Sequence, residues 1–404
     1  MISALALPII FLSTVNPMKN QILILLSLFL LFPRAQAQWA DQARTLFDKD
    51  LPEQIKTYPD ALMTFWGGFR RYLHWPQARG EIVEKASSLF KSQRFSFYFF
   101  AHPNPKAPLY IFMPGIYGQP HKGITQNFID TLEALEGSVI VVPNLLAQEY
   151  IQANPTYIKD VVESEVAVMQ EVLDFALTKL PPQPRSIHLI AESLGSGLAV
   201  AWVAEDQRTK KQISDLLLLW PPMNLFSAMK NFDNLIDSYR KFECTTIGNL
   251  LTISQKFLFT IYPEHLTQTE QECMGQVMLV DGFLKATQKS LASYKETDPK
   301  LASLPIPTGF EHFFQNYRPE VWKLISSKDP RLSLAYSVRK FAPLLPVKII
   351  TSQNDFLNKG LEWRDFAQET GLKLGQDILV LDWGGHSGSI GSPQFSEVLK
   401  LIYP

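Results

Sequence analysis

Six short, nearly continuous apolar runs, separated by helical stretches and turns, set the terms for any fold of this chain. They are Leu109–Met113, Val139–Val142, Ile187–Ile190, Leu216–Trp220, Val347–Thr351 and Ile378–Leu381. A strand that is apolar at successive positions must be covered on both faces, because neighbouring side chains point to opposite sides of a sheet. Amphipathic stretches at Ile124–Leu135, Tyr157–Leu180, Gly195–Ala204, Leu361–Thr370 and Phe395–Ile402 follow the runs. Strands alternating with helices in this way predict a mostly parallel sheet with helices on both faces, an α/β fold.

The alternation is interrupted once. Residues 221–343 carry helical periodicity without a strand and are rich in aromatics, among them Phe226, Phe232, Phe257, Phe259, Tyr262, Phe310, Phe313 and Phe314. An insertion between two strands of a parallel sheet lies near their carboxyl edge, where ligand sites form. It reads as a cap or lid, with most of its aromatics forming its own core. Residues 95–220 and 344–404 are then the two halves of the main domain.

Residues 38–94 read as a helical segment broken at Pro52 and Pro76. One helical face holds Trp39, Ala43, Leu46 and Phe47, a second helical stretch surrounds Ile82–Phe90, and Trp66-Gly67-Gly68-Phe69 reads as a packed turn. These extra helices also leave open a docking arm for an envelope partner.

Before them, residues 1–37 read as a targeting segment rather than as fold. Met18-Lys19-Asn20 precedes an apolar stretch, Ile22–Phe32, and Ala35-Gln36-Ala37 stands before Gln38. A basic start, a short apolar core and an A-x-A-like site mark a secretory signal peptide, with Met18 a candidate start. The apolar run is shorter than the ~20 residues of a membrane span, so no stable span is expected after its removal. An uncleaved anchor is the alternative. The expected destination is the periplasm or the medium, where Cys244 and Cys273 could pair; two buried free thiols are the other reading.

Charge excludes some functions. With 38 Lys+Arg against 39 Asp+Glu and no basic run, the chain is not built as a nucleic-acid binder. Its seven histidines show no metal-ligand spacing, so neither a metal nor another cofactor is expected.

Four segments carry chemistry. In Ala191-Glu192-Ser193-Leu194-Gly195-Ser196-Gly197 a buried strand ends and a helix begins with a serine at the tip. Small residues two before and two after the serine permit a tight turn that raises its hydroxyl above the sheet. Gly197 is expected to let the helix approach the sheet closely. A serine hydroxyl needs a base held by a third group. Gly384-Gly385-His386-Ser387-Gly388 follows a strand and offers His386 as that base. Ser352-Gln353-Asn354-Asp355 also follows a strand and offers Asp355, for which helix capping is the plainer role. Asp382 is a competing acid, too close along the chain to reach behind His386. Lastly, Pro114-Gly115-Ile116-Tyr117-Gly118 leads out of a strand and can aim a backbone N–H at an oxyanion beside that of Leu194. Tyr117 there reads as a pocket wall or a side-chain donor.

Taken together, these segments resemble the α/β-hydrolase superfamily over residues 95–220 and 344–404, although Ala191 replaces the first glycine of G-x-S-x-G and Pro114-Gly115 stands where His-Gly is usual. The resemblance implies Ser193 as nucleophile, His386 as base and then acid, Asp355 as orienting carboxylate, and Ile116 and Leu194 as oxyanion donors. Gly115 and Tyr117 would face the substrate. The aromatic cap favours an apolar acyl group, hence a small-molecule ester or lipid-like substrate and an esterase or lipase. A peptidase, thioesterase or acyltransferase would use the same groups, and a non-catalytic protein holding an apolar ligand is the reading from a different class.

Overall fold

The apolar runs become the central strands of one sheet. The computed structural model describes residues 39–49, 79–86, 94–116, 118, 124–143, 161–180, 186–241, 266–297, 303–388, 390 and 392–404. Among them eight strands are present: β1 (Glu81–Ala86), β2 (Arg94–Phe100), β3 (Leu109–Met113), β4 (Ser138–Val141), β5 (Ile187–Glu192), β6 (Asp215–Leu219), β7 (Val347–Ser352) and β8 (Ile378–Leu381). Their order across the sheet is β1-β2-β4-β3-β5-β6-β7-β8. The β1–β2 and β2–β4 pairs are antiparallel, and every later pair is parallel.

Among the described residues the α-helices are α1 (residues 39–48), α2 (Ile124–Glu133), α3 (Val161–Lys179), α4 (Leu194–Glu205), α5 (Gln207–Gln212), α6 (Leu225–Arg240), α7 (Gln268–Gly275), α8 (Gly282–Thr297), α9 (Phe310–Tyr317), α10 (Pro319–Ser326), α11 (Leu334–Phe341), α12 (Trp363–Thr370) and α13 (Pro393–Ile402). Alternate residues of each strand feed two separate apolar cores. Ile111, Met113, Leu189, Leu216 and Ile349 face α3, α4, α11 and α12 through Val172, Val203, Phe341 and Phe366. Tyr110, Phe112, Ile190, Leu217 and Ile350 face α1, α2 and α13 through Phe47, Phe128 and Phe395. Two-sided burial is why these strands read as continuous apolar runs.

Several expectations are corrected. Residues 81–86 are a strand, not part of a helix: Glu81–Ala86 pairs along its length with β2, and ladder formation at the sheet edge overrides the helix-compatible composition of Glu-Ile-Val-Glu-Lys-Ala. The sheet therefore begins inside the stretch 38–94, ahead of the expected boundary at residue 95. At the other end of the insertion, α11 belongs to the main domain, since Leu334, Val338 and Phe341 are buried in the core beneath α4 and α12. The part of the helical segment that is described is no free arm either. In α1, Trp39, Ala40, Ala43 and Phe47 are buried, Trp39 Nε1 donates to the carbonyl of Gln376 (2.7 Å), and Arg44 Nη2 donates to that of Val380 (2.8 Å). Val380 lies on β8, the sheet's edge, so Arg44 caps a carbonyl that no strand reaches.

The signal-peptide segment, Trp66–Phe69, Tyr117, Cys244, Phe257, Phe259 and Tyr262 lie outside the described residues. Cys273, at the end of α7, is disulfide-bonded, and the sequence holds one other cysteine, Cys244. No helix among the described residues is long and apolar enough to cross a membrane.

If α1 is structural, Phe47→Ala should destabilise the protein by about 3–5 kcal/mol in urea unfolding, as expected for an aromatic ring removed from a core. A loss below ~1 kcal/mol would mean that the segment is a detachable arm.

Candidate active site

Parallel strands end at one edge of a sheet, so loops from distant parts of the chain meet there. The crossover from β3 goes to β4 on one side, while β5 lies on the other, which opens a crevice between β3 and β5 at their carboxyl ends. Ser193 stands at that point, directly after β5. Its backbone has φ 51° and ψ −125°, a conformation that costs a non-glycine residue roughly 1–3 kcal/mol.

The turn is held by its surroundings. The Ser193 N–H donates to the Leu219 carbonyl (2.9 Å), and Ser196 Oγ donates back to Ala191 (3.0 Å). Gly195 is required, because a Cβ there would lie 2.3 Å from the carbonyl oxygen of Met113. Ala191 fits in place of the usual glycine, fully buried. The expectation for Gly197 is overturned: a Cβ at that position meets nothing within 4 Å, so Gly195, two residues earlier, sets the close approach.

The three expected catalytic residues come together. His386 Nε2 lies 2.7 Å from Ser193 Oγ, and His386 Nδ1 lies 3.1 Å from each carboxylate oxygen of Asp355. Asp355 accepts at Nδ1, which makes Nδ1 the protonated nitrogen and Nε2 the acceptor for the serine hydroxyl. Asp355 also fulfils the capping role: its carboxylate accepts the Leu357 N–H (3.0 Å) at the start of a short 3-10 turn, and the two tasks coexist because it has two oxygens. Asp382 is exposed and pairs with Arg44, away from His386. Burial lowers the affinity of His386 for a proton, but the charge of Asp355, its hydrogen bond, and then the charge of Glu192 outweigh this and hold its pKa above the ordinary 6.5.

The histidine loop is fastened by residues whose roles the sequence did not disclose. Gly384 and Gly385 take φ of 121° and 58°, which favours glycine. The Gly385 N–H donates to Asn354 Oδ1 (2.9 Å), and its carbonyl accepts from Ser352, whose hydroxyl accepts in turn from Trp220 Nε1 (3.0 Å). Asn358 Nδ2 bridges Asp355 (3.2 Å) and the Pro221 carbonyl (3.0 Å), while its Oδ1 accepts the Met223 N–H (2.8 Å). Asn358 thereby ties the acid to the start of the cap. Ser352 and Asn354 lie within the strand end noted above, but only three-dimensional pairing assigns them their partners.

The Gly115 loop lies against Ser193, since a Cβ on Gly115 would be 3.1 Å from Ser193 Cβ. The N–H groups of Ile116 and Leu194 donate to no other group among the described residues, which leaves both able to meet an oxyanion. Ile116 and Leu194 also line an apolar cavity of about 100 Å³ that reaches Ser193 and His386 and is walled on the other side by Met229 and Phe232 of α6 and Phe310 and Phe314 of α9. Two larger cavities of about 450 and 600 Å³ include neither Ser193 nor His386.

A second Ser-His-Asp set sits at the opposite edge of the sheet. Ser186 Oγ is 2.7 Å from His188 Nε2, and His188 Nδ1 is 2.8 Å from Asp215. It lacks the rest of a catalytic site: the N–H following Ser186, that of Ile187, is committed to Ser214 Oγ (3.2 Å), and Ser186 has no positive φ. No cluster of metal-ligating side chains is present among the described residues.

Two glycine substitutions test the local account. Gly195→Ala should destabilise by ~1–3 kcal/mol or prevent folding, because backbone must move. Gly197→Ala should stabilise by roughly 0.5–1 kcal/mol, as alanine does inside a helix with open space beside it. Thermal unfolding of both checks the contrast.

No family model and no curated protein matches the sequence. Among solved structures, the chain is similar to an esterase from Pyrococcus furiosus at 12% identity, covering 80% of this chain and 92% of that one with a TM-score of 0.44. A carboxylesterase from Bacillus subtilis shares 14% identity over 85% of this chain and 98% of its own, TM-score 0.44. For an acylaminoacyl peptidase from Pyrococcus horikoshii the figures are 11%, 82% and 41%, TM-score 0.43. The strand order observed here, with the Ser193 turn after β5, a helical insertion after β6, and Asp355 and His386 after β7 and β8, is the arrangement of the α/β-hydrolase fold.

Proposed function

We propose that the protein is a serine hydrolase acting on carboxylic esters with a compact apolar acyl group, through an acyl-enzyme on Ser193. The observation that carries this reading is the continuous hydrogen-bonded line Asp355–His386–Ser193 ending in an apolar cavity. Ser193 Oγ attacks the ester carbonyl as His386 Nε2 takes its proton. The resulting oxyanion is met by the N–H groups of Ile116 and Leu194, and the imidazolium by Asp355. On collapse, His386 gives the proton to the leaving alkoxide, the alcohol departs, and the acyl group remains on Ser193. Water, deprotonated by His386, then attacks the acyl carbon. Collapse of that second tetrahedral intermediate returns the proton from His386 to Ser193 and releases the carboxylic acid.

The cavity supports a small acyl group. At about 100 Å³ it falls below the ~300 Å³ at which pockets begin to hold drug-sized ligands, and its walls apart from Ser193 and His386 are apolar. Thioesters and amides differ at the leaving group, on which the acyl cavity has no bearing, so a panel varying both ends of the substrate separates these classes. Export to an oxidising compartment belongs to the same proposal. It is supported by the pattern Met18–Ala37 and by the disulfide at Cys273.

A fluorophosphonate probe should label one serine per chain, with labelling abolished by Ser193→Ala and His386→Ala and retained in Ser186→Ala. A folded wild type that does not label would move the protein to the ligand-binding class. Asp355→Asn should lower kcat by about 10⁴ on the serine-protease precedent.

The acid limb of kcat/KM should have its midpoint above pH 6.5. The base must be neutral, and a raised pKa keeps His386 protonated, hence inactive, to a higher pH. A midpoint below 6.5 contradicts the charge arrangement. Protein recovered from the periplasm or medium should begin at Gln38, read by N-terminal sequencing, and retention of residues 18–37 would refute cleavage.

A further inference from the structure

We infer that Glu192, the residue before the nucleophile, is a positioning residue with two tasks: its carboxylate tethers the oxyanion loop and serves as a second anion beside His386. The inference rests on the ester-hydrolase reading above and deepens it.

Glu192 ends β5 with 6% of its surface exposed. Among the described residues, neither lysine nor arginine pairs with it, and the one hydrogen bond to its side chain comes from the Gly115 N–H, at 3.4 Å from Oε2. A carboxylate withdrawn from water is costly unless N–H groups or a positive charge face it. Two groups near Glu192 meet that need. One is the N–H of Gly115, whose loop also carries Ile116 and packs so close to Ser193 that a side-chain Cβ at position 115 would stand 3.1 Å from Ser193 Cβ. The other is the His386 imidazole, which becomes a cation when it takes the serine proton.

Among the described residues, the groups that face His386 include Asp355 from the loop after β7, Glu192 and Ser193 from β5 and its turn, and the ring of Phe356 at 5.6 Å between centroids. Asp355 holds Nδ1, and Glu192 makes no hydrogen bond to the ring, so its influence on His386 is through space. That influence favours the imidazolium formed on the way to the tetrahedral intermediate. The same negative charge opposes the developing oxyanion. Its single hydrogen bond to Gly115, one residue before the donor Ile116, leaves the N–H groups of Ile116 and Leu194 open to the substrate oxygen.

The two tasks separate by substitution. Glu192→Gln keeps an acceptor oxygen for Gly115 N–H and removes the charge. The acid limb of kcat/KM should move down by roughly half to one pH unit, with kcat on the plateau reduced several-fold and KM for a short-chain ester unchanged. Glu192→Asp keeps the charge but shortens the reach. Its limb should stay within about 0.3 pH unit of wild type while the plateau rate of fluorophosphonate labelling falls about tenfold, because the loop is no longer tethered.

A limb unmoved in Glu192→Gln overturns the electrostatic task, and a labelling rate unmoved in Glu192→Asp overturns the tether. If Glu192→Gln does not fold, Glu192→Asp still decides: a limb shifted as far as half a unit with an unchanged labelling rate overturns the inference. A wild type that neither labels nor hydrolyses overturns the ester-hydrolase reading and this inference with it. An active wild type with unaltered variants overturns this inference alone.

Discussion

The parallel ladder from β3 to β8 is the constraint on which the rest of the protein depends. Its register sets the strand ends level: Met113 pairs with Ala191, Glu192 with Leu219, and Ser352 with Leu381. Each of the loops bearing Gly115, Ser193, Asp355 and His386 leaves the sheet within a few residues of those positions. A slip of one residue in any pair would turn that strand's side chains to the wrong core, so burial on both faces enforces the register that aligns the site. The geometry of the site at this edge follows from packing far below it.

Above the ladder the protein keeps strained and charged groups in place by surrounding them. Ser193 is held at positive φ by a backbone bond to Leu219 and by the contact of Gly195 with β3, where there is no room for a side chain. The His386 loop is fixed through Asn354, Ser352 and Trp220, and α1 braces it from outside through Arg44, which bonds Val380 and pairs with Asp382. The N-terminal helix thus bears on the segment that carries His386. Two buried acids then face that single histidine, an expense in desolvation that is met when the imidazole becomes positive.

The cap completes the site from a different direction. Asn358 joins the acid loop to Pro221 and Met223, where the cap begins, and Asn231 of α6 donates to the Leu357 and Lys359 carbonyls (3.1 Å each). Asp233 accepts the first two N–H groups of α9, at 2.7 and 2.8 Å, and so sets Phe310 and Phe314 over the cavity. The apolar cavity wall and the Ser193–His386–Asp355 line are therefore parts of one hydrogen-bonded assembly.

Much of this was legible in the sequence because it is local. Apolar runs announce buried strands, a serine between Ala191 and Gly195 announces a tight strand-to-helix turn, and glycines around His386 announce a loop able to adopt positive φ. The order of those segments along the chain was enough to identify Ser193, Asp355 and His386 as a set. What tertiary structure decided is everything that depends on which surfaces meet. Residues 81–86 have a composition that suits a helix and become a strand because β2 offers an unpaired edge. Gly195 rather than Gly197 is the indispensable glycine, since only the position of Met113 distinguishes them. Ser186-His188-Asp215 reproduces the hydrogen bonds of a triad at the wrong edge of the sheet, with the following N–H already spent. Glu192 likewise gains its place beside Gly115 and His386 only on folding, because distances between residues 77 or more apart in the chain are set by packing and not by any local pattern.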